Sequence, residues 1–204
     1  DGQNCIIVCA GSNAQLTEDY IDSVLAHFGA GDVALVQNEV SNVPYIIRQA
    51  KARGLKVAFN ASPITASILS YPLELVDYYL VNETEGRTLS GCDATDYETS
   101  LAALPEKCPN AAIVLTVGSD GVLYQCGDER YAHGIYRVQA VDTTGAGDTF
   151  CGFFLASLAK GVSVPQALEN ASLASALAVS RAGACDSIPT WAEMEAFAKT
   201  AQAK

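Results

Sequence analysis

Short apolar runs closed by glycine, asparagine and serine alternate along the chain with longer stretches of helical period. Cys5 to Cys9 is an apolar run ended by Ala10-Gly11-Ser12-Asn13, which reads as a buried strand and a turn. Thr17 is placed to cap the next helix, with Glu18 and Asp19 in its first turn. A second strand is predicted over Val33 to Val36, a helix over Ser41 to Arg53 stopped by Gly54, and a strand over Leu55 to Phe59. After a loop at Asn60-Ala61-Ser62-Pro63, a strand over Val76 to Val81 leads into a short helix opened by Asn82-Glu83-Thr84-Glu85 and closed at Gly91. Ala111 to Val117 reads as a strand, followed by the turn Gly118-Ser119-Asp120-Gly121 and a hairpin through Cys126-Gly127-Asp128. A strand-like run from Tyr136 to Val141 precedes three helices, over Ala146 to Lys160, Val164 to Ala182 and Thr190 to Ala201. Alternating strands and helices predict an α/β fold, a doubly wound, mainly parallel sheet with helices on both faces. Ligands of such sheets bind beyond the carboxyl ends of the strands, where the candidate motifs fall.

Composition narrows the setting. At 204 residues the chain is expected to form a single domain with a substantial core. No apolar run reaches the length of a membrane span, and Asp1-Gly2-Gln3-Asn4 lacks the basic start of a secretory signal, so no membrane partner is expected. A net charge of −11 argues against a nucleic-acid partner, and it leaves any bound phosphate to backbone amides and metal rather than to a basic cluster. The 7 cysteines are odd in number and scattered without a CxxC pair, which reads as a reduced, cytoplasmic chain.

The stretch richest in chemistry is VDTTGAGDTF, Val141 to Phe150. Gly145 and Gly147 flank Ala146, and such a turn lets successive N–H groups point inward at a helix start. Those amides and the helix dipole suit an anion such as a phosphoryl group. Asp148 would repel that anion, so its useful role is as a base that takes a proton from a hydroxyl while the amides stabilise the transferred group. The alternative is an ordinary acidic residue in a first helical turn.

DTTGAGDTF followed by CGFFLASLAKG resembles the carboxy-terminal signature of the ribokinase (PfkB) family of carbohydrate and nucleoside kinases, and AGSNAQLT, VNETEGRTLSG, LTVGSDGVL and SRAGACDSIP match it in order. Within that family the ribokinases are the most similar. The resemblance covers nearly the whole chain but only the carboxy-terminal two-thirds of a kinase: the first strands, a small β lid and part of the sugar pocket lie ahead of the AGSN strand in family members. The domain over 1–204 is therefore expected to be amino-terminally truncated, with weak nucleotide binding, poor turnover and an exposed sheet edge.

The resemblance implies roles residue by residue. Asp148 is the base, and Gly145, Ala146 and Gly147 form the anion hole. Glu39 accepts from sugar hydroxyls, against the alternative of a solvated loop acid. Glu85 holds Mg2+ through water, and Asn82 lies near the nucleotide phosphates. Asn82 and Glu85 equally suit a helix N-cap and its capping-box partner. Thr116, Val117, Gly118, Ser119, Asp120 and Gly121 match the family's nucleotide loop, or form a plain strand-to-hairpin turn; no GxxxxGK[ST] loop is present. Asp142, Thr144, Ala178, Arg181, Gly183 and Ser187 match positions around a monovalent cation, usually K+. Ser172 stands where relatives often carry Asn or His beside adenine. The implied reaction is ATP-dependent phosphorylation of a sugar's primary hydroxyl, D-ribose to ribose 5-phosphate first, with a homodimer when full length. A kinase for another sugar or nucleoside, or a noncatalytic nucleotide-binding subunit, is the alternative.

Overall fold

The computed structural model describes residues 9–92 and 96–202. The strand expected over Cys5 to Cys9 lies outside them apart from Cys9. The described residues fall into two compact units, one of 9–92, 96–116 and 124–130 and the other of 117–123 and 131–202.

In the first unit, helix α1 (Glu18–Leu25) starts at Thr17, whose hydroxyl accepts from Tyr20 N–H at 3.2 Å, as the Thr-Glu-Asp start predicts. Strand β1 (Val33–Gln37) is followed by α2 (Val43–Ala52) and β2 (Lys56–Asn60), and β1 and β2 pair in parallel with Gln37 opposite Asn60. Strand β3 (Tyr78–Asn82) pairs in parallel with β2, and β4 (Ala112–Thr116) with β3. Helices α3 (Glu83–Ser90) and α4 (Tyr97–Ala103) lie between β3 and β4 in the chain. Parallel strands with helical crossovers are the doubly wound α/β arrangement the alternation predicts. Its core is Val57, Phe59, Tyr79, Ile113 and Leu115, with the Phe59 and Tyr79 rings stacked at 5.8 Å. Strand β1 heads the sheet order, and its Val33 and Leu35 side chains are exposed.

Strands β5 (Val122–Cys126) and β6 (Glu129–His133) are joined by two residues, Gly127 and Asp128, the hairpin expected from that sequence. In the second unit α5 (Ala146–Ala159) packs on α6 (Val164–Val179), and α6 on α7 (Trp191–Ala198). Phe154, Leu168 and Met194 are its fully buried large side chains.

One expectation is corrected, and one helix is additional to those predicted. Tyr136 to Val141 is not a strand: only Tyr136 forms a bridge. The backbone groups of that run find other partners, Arg137 N–H giving to Gln202 O at 3.0 Å and Val141 N–H to Val179 O at 2.9 Å. Helix α4 has no counterpart in the sequence reading, although Asp96 caps it by accepting from Glu98 N–H at 3.0 Å.

Candidate active site

The turn into α5 is built around Asp142. One carboxylate oxygen accepts from Thr144 N–H at 2.9 Å and the other from Gly183 N–H at 3.1 Å. These hydrogen bonds, Thr144 first, hold the Asp142 carboxyl below its ordinary value. Gly145 is the N-cap with φ 75°, a left-handed conformation that glycine takes without strain. The helix then begins with Thr149 N–H giving to Gly145 O at 2.9 Å, while Ala146 N–H turns back to Thr143 O at 3.2 Å. Gly147 N–H, in the first turn, has no backbone acceptor among the described residues. A Cβ built on Gly147 meets nothing within 4 Å among the described residues, so they leave space open over that turn. Asp148 is exposed in the same turn. Amide, open space and carboxylate thus share one helix end.

The loop after α6 closes on this turn. Val179 O accepts from both Val141 N–H and Asp142 N–H, at 2.9 and 3.2 Å. Ala178 is buried in the last turn of α6, and its carbonyl accepts from Arg181 N–H at 3.0 Å. Ser187 is buried, its hydroxyl giving to Ala184 O at 2.7 Å, and Ala184 lies 3.7 Å from where a Gly145 Cβ would stand. Asp142, Thr144, Ala178, Arg181, Gly183 and Ser187 therefore belong to one connected loop cluster. Ser175 ties α6 to the helix start by donating to Ala146 O at 3.1 Å, and Ser172 is half-buried one turn earlier. The Arg181 side chain has a role the sequence reading did not give it, an ion pair with Glu193 at 2.8 Å. Glu193 is at the same time the capping-box acid of Thr190-Trp191-Ala192-Glu193, and both bonds of that box form at the start of α7.

The loop after β4 is a tight turn. Val117 N–H gives to Gly121 O at 2.8 Å around a single 3-10 turn of Gly118, Ser119 and Asp120. Gly121 has φ 100°, and a Cβ there would collide with the His133 carbonyl. Thr116 ends β4, its hydroxyl giving to Val81 O at 3.4 Å.

In the unit of β1–β4, Asn82 and Glu85 make the capping box that their spacing allows. Asn82 Oδ1 accepts from Glu85 N–H and Glu85 Oε2 from Asn82 N–H, each at 2.9 Å. Glu85 is only 5% exposed, and burial pushes its carboxyl up despite the hydrogen bonds from Asn82 and Ser62. The cap takes a share of that carboxylate and leaves other lone pairs for a cation or water. Glu39 is exposed in the turn after β1. Among the described residues no three His, Cys, Asp or Glu side chains converge, so a divalent ion here would rest on one carboxylate together with waters and phosphate oxygens.

Comparison with known proteins gives a consistent pattern. Residues 1–191 match the profile described as pfkB family carbohydrate kinase. The ribokinase of Haemophilus influenzae is 34% identical over 201 residues, which take in 96% of this chain and 65% of that protein. The structure of Arabidopsis thaliana ribokinase complexed with ribose and ATP superposes with a TM-score of 0.81 at 28% identity, over 98% of this chain and 66% of that one. A putative ribokinase II of E. coli in complex with ATP and Mg2+ gives a TM-score of 0.76 at 25% identity, over 91% of this chain and 64% of that one. The chain therefore spans somewhat less than two thirds of the length of each of these relatives.

Proposed function

The chain belongs to the pfkB family of carbohydrate kinases, and from that membership we propose that it serves the ATP-dependent phosphorylation of a sugar's primary hydroxyl, with D-ribose going to ribose 5-phosphate. The observation that carries the reading is the start of α5, where an amide without a backbone acceptor, an open first turn and an exposed carboxylate occur together at Gly147 and Asp148. That constellation suits in-line transfer, in which positioning and electrostatics do most of the work. Asp148 takes the proton from the attacking hydroxyl oxygen. The Gly147 N–H, without a backbone acceptor among the described residues, faces the charge that builds on the transferred phosphoryl oxygens, and Gly145 and Ala146 shape the turn that presents it. Glu39 accepts from two neighbouring sugar hydroxyls, which orients the sugar. By family resemblance the nucleotide is assigned to the loop from Thr116 to Gly121 and to Ser172, and its phosphates to Asn82.

Mg2+ bound near Glu85 supplies neutralisation of phosphate charge. Glu85 fits that use, because a buried carboxylate with unused lone pairs is relieved by a nearby cation. K+ suits the Asp142 cluster, where an ionised carboxylate, a buried hydroxyl at Ser187 and loop carbonyls supply oxygen donors. The reading includes a cytoplasmic location, in keeping with six described cysteines that are all free thiols, and a homodimer for the full-length protein. No helix among the described residues is long and apolar enough to cross a membrane.

Asp148→Asn tests the proposal. The amide keeps the shape and cannot accept the proton, so turnover on D-ribose should fall about 10²–10⁴-fold while ADP affinity by calorimetry stays close to parental. Near-parental turnover from the Asp148→Asn protein would remove the carboxylate from the mechanism.

A further inference from the structure

No role has been assigned to Asn38, yet its side chain, next to Glu39 in the chain, makes three hydrogen bonds. The register that sets Gln37 opposite Asn60 brings the ends of β1 and β2 out of the sheet side by side. Asn38 N–H then carries the ladder one step further by giving to Ser62 O at 2.9 Å. Its amide nitrogen gives to Pro63 O at 2.7 Å and to the Thr65 hydroxyl at 3.0 Å, which uses both donors. Its amide oxygen accepts from the Tyr71 hydroxyl at 2.8 Å. Tyr71 is itself held, its ring lying 6.1 Å from Phe59, a fully buried residue of β2.

The far side of the turn is fixed as firmly. Ser41 N–H gives to Asn13 O at 2.8 Å, and its hydroxyl gives to Leu16 O at 3.0 Å. Asn42, left-handed at φ 60°, gives to the same Leu16 carbonyl at 2.6 Å. Glu39 and Val40 are thus a two-residue span whose neighbours are bonded to three other segments: 13–16, 62–65 and Tyr71. A carboxylate that must meet two sugar hydroxyls at once needs that kind of fixed backbone.

We propose that Asn38, locked by Tyr71, is a positioning residue that fixes the Glu39 carboxylate for the sugar hydroxyls. The inference rests on the reading of Glu39 as a sugar contact. It also gives the 60–65 loop a function, as the frame against which the sugar carboxylate is set.

The test uses D-ribose as the probe and a double-mutant cycle with Glu39. Tyr71→Phe keeps the ring and removes one hydrogen bond, so KM for ribose should rise about 2- to 10-fold. Asn38→Ala removes three side-chain bonds and should raise it about 10- to 100-fold. Both should leave kcat, KM for ATP and ADP affinity within a factor of about two. In the Glu39→Ala background neither substitution should raise the ribose KM further, an outcome that loosened packing alone would not give. If Glu39→Ala raises the ribose KM while Tyr71→Phe and Asn38→Ala leave it alone, the positioning role is overturned and the reading of Glu39 stands. The positioning role is equally overturned if Asn38→Ala acts by the same factor with and without Glu39. If Glu39→Ala itself leaves the ribose KM unchanged, the sugar contact falls and this inference with it. Should Asn38→Ala unfold the protein, Tyr71→Phe decides the question.

Discussion

Gly147→Ala separates stability from chemistry at the helix start. Gly147 has a helical φ in the first turn of α5, and a Cβ there meets no atom within 4 Å. Nothing among the described residues therefore opposes a methyl group. Replacing a helical glycine by alanine removes backbone freedom from the unfolded chain and should stabilise by about 0.4–1 kcal/mol. For a protein of this size that raises the thermal midpoint by roughly 1–4 °C. The same methyl group would occupy the open space over the first turn, where on the proposed reading the phosphoryl oxygens come within hydrogen-bond distance of the Gly147 amide. Losing one such contact typically lowers turnover about 10²–10³-fold. Opposite signs are the signature: a higher melting temperature with lower turnover. The matched control is Gly145→Ala. There φ is 75°, which a side chain resists by roughly 1–2 kcal/mol, so that variant should lose both stability and activity. Scanning calorimetry and a coupled ADP-release assay on the two proteins suffice. A Gly147→Ala protein that is more stable and as active as the parent would show that no anion sits over this turn.

Three further outcomes follow from the same geometry. Turnover should rise when K+ replaces Na+ or Li+ at constant ionic strength, and Asp142→Ala should abolish that response; equal rates in all three salts would dissociate the Asp142 cluster from a cation. Gly121→Ala should destabilise by about 1–3 kcal/mol or more, because it combines φ 100° with a collision at the His133 carbonyl; an unchanged urea midpoint would contradict that packing. Burial raises the Asp77 carboxyl, but hydrogen bonds from Lys51, Val57 N–H and Lys56 outweigh it and hold it below its ordinary value. A depressed folded value gives stability that is present above the ordinary carboxyl range and lost as pH falls through the folded value. Asp77→Asn should therefore lower the urea midpoint at pH 7, with the gap to the parent closing below about pH 4; a gap that widened in acid would reverse the sign.

How much of this was legible in the sequence depended on how local each signal was. The start of α5 could be read because a left-handed Gly145, an open Gly147 and a first-turn Asp148 are neighbours in the chain. The parallel strands could be read because each apolar run ends in its own turn residues. Tyr136 to Val141 misled, since its apolar alternation looks like a strand while Val141 N–H finds its partner far along the chain at Val179. Helix α4 escaped because it has only 7 residues, too few for a periodic signal to stand out. Asn38 could not have been found at all from sequence. Its partners lie 25, 27 and 33 residues away, and no spacing rule links them.

Asn82 and Glu85 show why the plain and the functional readings of a motif need not compete. The capping box is present, with both bonds at 2.9 Å, so the structural reading holds. Yet a cap on an exposed surface helix does not require its acid to be 5% exposed, and burial raises the Glu85 carboxyl. An ionised carboxylate offers about four acceptor sites; the cap uses one and the Ser62 side chain another, which leaves part of the carboxylate for a cation. Asp142 follows the same logic: two N–H donors orient it, hold it ionised, and leave acceptor sites unspent. In both places the backbone bonds fix where a charge points, and the remaining lone pairs are what a cation would meet. Each acid that shapes the chain at these turns is thereby already aimed, which is the preorganisation that phosphoryl transfer depends on.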